Sequence, residues 1–141
     1  MIHYKVGNLL ESDAEALVNT VNTVGVMGKG IALQFKNTFP NNFRVYQKAC
    51  KNNEIQVGKL LITEEESLLL GNKIIINFPT KTNWRLPSEF SYIENGLIEL
   101  VKEIKERKIK SIAIPPLGAG NGGLDWSKVK LILEKYLADV D

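Results

Sequence analysis

Apolar positions along the 141-residue chain switch between a period of two and a period near 3.6, which predicts strands alternating with helices. Residues 2–6 alternate as a short strand does and stop at Gly7-Asn8, a turn signal. Residues 15–20, Glu-Ala-Leu-Val-Asn-Thr, read as a second, buried strand. Gly25-Val-Met-Gly28-Lys29-Gly30 follows and opens into the helical pattern of residues 31–36. Pro40 stands near the start of another helix, where its missing N–H costs little, and Phe43, Tyr46, Ala49 and Cys50 form the apolar stripe of that helix. Residues 58–63 and 73–78 read as strands, with Gly71-Asn72 as a hairpin-type turn between Leu68–Leu70 and the later strand. Ser88 and Ser91 are candidate caps for a long helix whose stripe is Ile93, Leu97, Leu100, Val101 and Ile104. Residues 111–115 form the last strand and residues 127–137 a closing amphipathic helix. The order predicts an α/β fold: a mixed or parallel central sheet with helices on both faces, a three-layer α/β/α sandwich.

The length suits one domain over residues 1–141. No apolar run approaches the roughly 18 residues that span a bilayer, and the first residues do not begin a signal peptide. Cys50 is the single cysteine and cannot form an internal disulfide, so a cytoplasmic location and no membrane contact are expected. The net charge of +2 permits contact with nucleic acid without predicting it. His3 is the single histidine; with no second His or Cys the usual zinc clusters are unavailable, and no metal is expected.

Both glycine clusters, 25–30 and 118–123, follow a strand and precede a helix. In α/β sheets ligands bind at that edge, where glycine lets backbone N–H groups approach an anion closely. Two such turns in one small domain can cradle a pyrophosphate from both sides. Gly118, Gly120 and Gly123 match the dinucleotide fingerprint in spacing alone, because they lie near the end of the chain with only a helix after them. The nucleoside-triphosphate loop fails as well, since Lys29 is followed by Gly30 instead of Ser or Thr.

Leu17-Val-Asn-Thr-Val-Asn22 followed by Gly25-Val-Met-Gly-Lys-Gly-Ile-Ala32 resembles the signature of the macrodomain family. Gly7-Asn8-Leu9 is similar to that family's Gly-Asp-Ile element, and Pro116–Gly123 to its second phosphate loop. Residues 77–85 together with 117–126 resemble the DarG-type branch, antitoxins that remove ADP-ribose placed on thymidine in single-stranded DNA by a DarT toxin. The resemblance implies the macrodomain fold and an ADP-ribosyl glycohydrolase acting on ADP-ribosylated single-stranded DNA. It implies no cofactor, with ADP-ribose as ligand or product. It also implies a DarT-like toxin as partner, contacted through a region absent from this chain, which would then be the N-terminal part of a longer antitoxin.

Residue by residue, the resemblance implies that Asn8 and the backbone of Leu9 face adenine, and that Asn22 bonds the distal ribose near the scissile bond. Gly25, Gly28 and Gly30 lie against the distal ribose and phosphate. Thr80 and the run Leu117, Gly118, Ala119, Gly120, Asn121, Gly122 and Gly123 complete the ligand contacts, and Lys81 matches the catalytic lysine. Two positions depart from the family. Asn8 replaces the usual aspartate, so its amide oxygen accepts from adenine without charge assistance. Gly122 stands where a protein-directed relative has a catalytic aspartate, and Asp125 is out of register for that role.

Burial and neighbouring positive charge make a lysine amine nucleophilic, and Lys81 follows a buried-looking strand. Its expected role is attack on the anomeric carbon of the distal ribose or proton donation to the departing base. Trp84 and Arg85 could stack on and neutralise single-stranded DNA; Trp84 as core and Arg85 as surface is the alternative. Trp126, at a helix start, reads as packing, and Glu64-Glu65-Glu66 as a solvated edge. Three functional readings stand beside the leading one: an ADP-ribose reader without catalysis, a protein-directed ADP-ribosyl hydrolase, and a phosphatase acting on ADP-ribose 1″-phosphate.

Overall fold

The computed structural model describes residues 2–4, 7–28, 30–67, 70–82, 88–118 and 123–138. Among them, β1 (Ala16–Asn22), β2 (Leu61–Ser67), β3 (Gly71–Lys81) and β4 (Ile112–Ala113) form one sheet in the spatial order β2-β3-β1-β4. β1 pairs parallel with β3 and β4, while β3 pairs antiparallel with β2. The sheet is therefore mixed, with its two longest runs of buried residues in the middle. Ile74 to Thr80 of β3 are all buried, as expected of a strand with neighbours on both sides and helices on both faces.

The period of two sorts β1 and β3 between those faces. Ala16, Val18, Ile74, Ile76 and Phe78 pack against Ile93, Leu97 and Leu100 of α3 (Phe90–Arg107) and Val129 and Leu133 of α4 (Trp126–Leu137). Leu17 and Ile75 point the other way, onto Phe35 of α1 (Gly30–Thr38) and Phe39. Val21 joins Met27 with Tyr46, Ala49 and Cys50 of α2 (Pro40–Lys51). Two helices on each face give the three-layer sandwich that the sequence predicts.

α2 has no side-chain cap of its own; Phe39 stands at that position. Its first N–H groups are met from across the sheet instead. Asn42 N donates to Glu65 Oε1 at 2.7 Å and Asn41 N to Oε2 at 3.4 Å. A carboxylate suits the positive end of a helix, and these bonds satisfy donors that helix geometry leaves unpaired. Glu65 is consequently buried in β2, whereas Glu64 and Glu66 are exposed, so the expected solvated edge is corrected at its middle residue. The Asn42 amide continues the clamp: its Oδ1 accepts from Asn77 Nδ2 at 2.8 Å and from Thr63 Oγ1 at 2.7 Å. Asn77 Oδ1 accepts in turn from Asn42 Nδ2 at 3.1 Å and Asn19 Nδ2 at 3.3 Å. Helix and sheet are joined by a buried polar lattice that no single stretch of sequence contains.

Four expectations change. Residues 2–4 carry no strand; Tyr4 donates to Glu134 Oε1 at 2.6 Å and lies under Lys130 Nζ, so this segment is tied to α4. Lys5 and Val6, the rest of that predicted strand, lie outside the described residues. Gly71 and Asn72 do not form the hairpin turn but pair with Ser67 and Glu66, and Leu68 and Leu69 lie outside the described residues. The strand expected over 111–115 is paired only at Ile112–Ala113, and Pro115 and Pro116 have no N–H to extend the ladder. Neither Ser88 nor Ser91 caps α3: Glu89 is its N-cap, without a side-chain bond.

α3 approaches the sheet most closely at Gly96, where an added Cβ would fall 2.2 Å from Phe78 Cζ. Gly96→Ala forces the buried Phe78 ring or the helix to move and should destabilise the fold by about 1–3 kcal/mol. Denaturant unfolding checks this; combining Gly96→Ala with Phe78→Leu should recover part of the loss.

Candidate functional site

β1 and β3 run side by side in parallel and end together. Their register is regular from Ala16↔Ile74 to Val21↔Pro79, then shifts so that Asn22 faces Lys81. The extra residue is Thr80 on β3. Such a bulge re-aims the following side chain, and here it places Lys81, instead of Thr80, opposite Asn22. Pro79 explains why the irregularity falls there: a proline cannot donate to the ladder and is tolerated in a central strand only beside a bulge. Thr23 then ties the two strand ends, its N and Oγ1 both donating to Thr82 O, at 3.2 and 2.6 Å.

Asn22 closes the turn that follows β1. Its Oδ1 accepts from Val24 N at 3.1 Å, Val26 N at 3.3 Å and the Tyr46 hydroxyl at 2.9 Å, and its Nδ2 donates to Val26 O at 2.8 Å. The oxygen faces three donors, so the orientation of the amide is fixed. What Asn22 can still offer a ligand is its second amide hydrogen, a donor. Gly25, at φ +92°, completes the turn in a backbone conformation that side chains rarely adopt. Tyr46 is fully buried, and its hydroxyl also reaches Asn22 O at 2.9 Å. Burial first, then the neighbouring Cys50, hold the phenol far above its ordinary pKa, so it remains a proton donor at physiological pH. Cys50 is itself pushed up by burial and stays a thiol.

The second glycine turn leans on the same strand end. Gly118 has φ +73°, and Leu124 N donates to Gly118 O at 2.9 Å, closing the turn on itself. A Cβ on Gly118 would lie 2.7 Å from Leu124 Cδ1 and 3.1 Å from Ser88 Oγ. Ser88, expected as a helix cap, is buried and donates to Thr80 O. The bulge at Thr80 is thus held through Ser88, whose hydroxyl also packs under the second turn. Leu117 is a fully buried core residue packed with α3 and α4, so only its backbone can reach a ligand.

A cavity of ≈ 1060 Å³ runs along the β4 edge, from Asn8, Leu9 and Ile31 past Ile112 to Ile104 and Leu137, and neither Asn22 nor Lys81 lines it. That volume accommodates a nucleotide-sized ligand. Asn8 Oδ1 accepts from Leu10 N at 3.1 Å as the cap of the short 3-10 turn Leu9–Glu11, so part of its acceptor capacity is spent locally. Trp126 is 38% exposed and lines this cavity. Gly28, Gly30 and Gly123 are exposed at the turns that carry them. Lys29, Trp84, Arg85, Ala119, Gly120, Asn121 and Gly122 lie outside the described residues. Three contributors were not legible as site residues: Tyr46 and Cys50 are indistinguishable from other stripe positions of α2, and Ser88 reads as a cap.

A mixed sheet lies between two helical layers, with two glycine turns at the carboxyl ends of its parallel strands, the edge at which α/β domains bind ligands. The chain belongs to the macro domain family, whose model matches residues 18–133. It is 56% identical over 144 residues to a DNA ADP-ribosyl glycohydrolase of Mycobacterium tuberculosis, covering 100% of this chain and 41% of that protein. The macrodomain of Mycobacterium tuberculosis DarG superposes with a TM-score of 0.95 at 54% identity, over 99% of this chain and 91% of that one. A transferase–glycohydrolase fusion protein of Thermosipho africanus is 40% identical over 149 residues, 96% of this chain and 38% of the fusion. The structure of Thermosipho africanus DarTG in complex with ADP-ribose matches with a TM-score of 0.88 at 41% identity, over 96% of this chain and 38% of that one. The chain spans about two fifths of the length of these curated relatives.

Gly118→Ala places a methyl group against Leu124 and Ser88 in a strained backbone conformation. It should lower stability by about 1–3 kcal/mol. Thermal unfolding measures the loss, and Gly123→Ala, which has open space around it, should cost less.

Proposed function

We propose that this chain is a glycohydrolase unit that removes ADP-ribose from thymidine in single-stranded DNA, acting as antitoxin to a DarT-like DNA ADP-ribosyltransferase. The observation that carries this reading is the register pair of Asn22 and Lys81 at the joint end of two parallel strands. A hydrogen-bond donor and an amine side by side, between two glycine turns, suit a sugar whose anomeric carbon must be held and attacked. Asn22 offers its remaining N–H to a distal ribose hydroxyl. The turns at Gly25–Gly30 and Leu117–Gly123 take the pyrophosphate, and the cavity beside Asn8 and Leu9 takes the adenosine. Sequence similarity to proteins named DNA ADP-ribosyl glycohydrolase supports the substrate class.

The net reaction breaks the bond between the anomeric carbon and the base; water supplies the hydroxyl to the sugar and the proton to the base. Oxidation states do not change, so the proposal includes no redox cofactor, and no metal is assigned to it. Two roles suit the Lys81 amine, attack on the anomeric carbon and proton donation to the leaving base. Trp84 and Arg85 follow Lys81 closely enough in sequence to be the proposed contacts with the DNA strand. The toxin is proposed to be met by a region outside this chain. No helix among the described residues is long and apolar enough to cross a membrane, and the cytoplasm, where a DNA substrate lies, is the proposed location.

Lys81→Ala should slow release from a single-stranded oligonucleotide carrying ADP-ribosylated thymidine by about a hundredfold or more, while ADP-ribose affinity changes by less than about threefold. The mass of the oligonucleotide reports release and calorimetry reports affinity. An unchanged mass with the unsubstituted protein despite ADP-ribose binding would favour a reader. Release from modified protein but not from DNA would favour a protein-directed hydrolase.

A further inference from the structure

We infer that Tyr46 is a positioning residue for this reaction, its hydroxyl holding the Asn22 amide in the orientation that presents a donor to the ligand. The inference rests on the proposed glycohydrolase reading and adds to it a residue of α2, outside both glycine turns in sequence. Tyr46 has no exposed surface, and its neighbours Val21, Met27, Ala49 and Ile55 are apolar. Phenylalanine would fill that space equally well. What tyrosine adds is one hydroxyl, and burying a hydroxyl is costly unless it is bonded. The hydroxyl is bonded: its one proton is shared between Asn22 O and Asn22 Oδ1, each 2.9 Å away. The Asn22 amide in turn bonds to Val24 N, Val26 N and Val26 O. The hydroxyl therefore ties together the last residue of β1, the side chain of that residue and, through it, the turn beyond.

The oxygen and nitrogen of an asparagine amide occupy nearly the same space, so sterics alone do not choose which faces a ligand. At Asn22 the choice is made by donors, and Tyr46 is the side chain among them. Tyr46 is also anchored to the strand that carries Lys81. α2 is clamped to β2 through Glu65 and to β3 through the Asn42–Asn77 pair. A continuous bonded path thus runs from β3 through α2 and Tyr46 to Asn22, and it sets the amide relative to Lys81. Loss of the hydroxyl should loosen the sugar near the reacting atom more than it weakens the remote adenosine and pyrophosphate contacts.

The test uses Tyr46→Phe, Asn22→Ala and the double variant on ADP-ribosylated single-stranded DNA under single-turnover conditions, with ADP-ribose affinity and melting temperature measured alongside. Tyr46→Phe should slow release about tenfold with affinity changed by less than about twofold, as expected when one orienting hydrogen bond is lost. In the Asn22→Ala background the same substitution should have almost no further effect, since the group it positions is gone. Equal rates for Tyr46→Phe and the unsubstituted protein overturn the inference and leave the glycohydrolase reading intact. So does an equal slowing in both backgrounds, which would mark general loosening of the core. An unsubstituted protein inert on the oligonucleotide sinks both together. If Tyr46→Phe does not fold, para-aminophenylalanine at position 46 restores an N–H donor at the same place. That variant should keep most of the rate, and a rate as low as that of Asn22→Ala overturns the inference.

Discussion

Parallel pairing between β1 and β3, broken once by the extra residue Thr80, is the constraint on which the site depends. Register in a sheet covered on both faces is stiffly determined, because a slip of one residue would turn every apolar side chain to the wrong layer. Ala16, Val18, Ile74, Ile76 and Phe78 against α3 and α4, and Leu17 and Ile75 against α1, allow only one alignment. That stiff pairing delivers both strand ends to the same place. The bulge then makes the single local adjustment that puts Lys81 opposite Asn22. Pro79 before the bulge, Ser88 bonded to Thr80 O and Thr23 bonded to Thr82 O all act to hold this short stretch.

The buried frame that joins α2 to β1, β2 and β3 is unusually polar. Asn19, Asn42, Asn77 and Glu65 are all nearly or fully buried. Apolar residues of similar size would avoid the desolvation cost of these groups. Their bonds, however, are directional, and they fix α2 to the sheet in rotation as well as in distance. Apolar packing alone tolerates small sliding. A site proposed to hold a sugar against an amine gains from a frame that does not slide.

Much of this was legible in the sequence, and the illegible parts share a cause. The buried run of β3, the helical stripes of α2 and α3 and the two glycine turns are local signals, readable from neighbours in sequence. The macrodomain signature marked Asn22 as a candidate and the branch motif over residues 77–85 marked Lys81. The bulge was not readable, because it is a relation between two strands about 60 positions apart and depends on a register that only the packed sheet defines. Glu65 looked like one of three solvated acids; its partner is the start of a helix more than twenty residues away. Residues 2–4 carry no strand for a related reason: alternation alone does not supply a neighbour, and β4 offers only two paired residues.

The most direct measurement is an atomic-resolution structure of this chain with ADP-ribose bound. The distal ribose should lie between Asn22 and Lys81, with Asn22 Nδ2 within about 3.2 Å of a ribose hydroxyl and Lys81 Nζ within about 4 Å of the anomeric carbon. Asn22 Oδ1 should still face Tyr46, Val24 N and Val26 N. A distal ribose seated away from the end of β3, with Lys81 out of reach of the anomeric carbon, would contradict the assignment of this strand junction as the reacting centre.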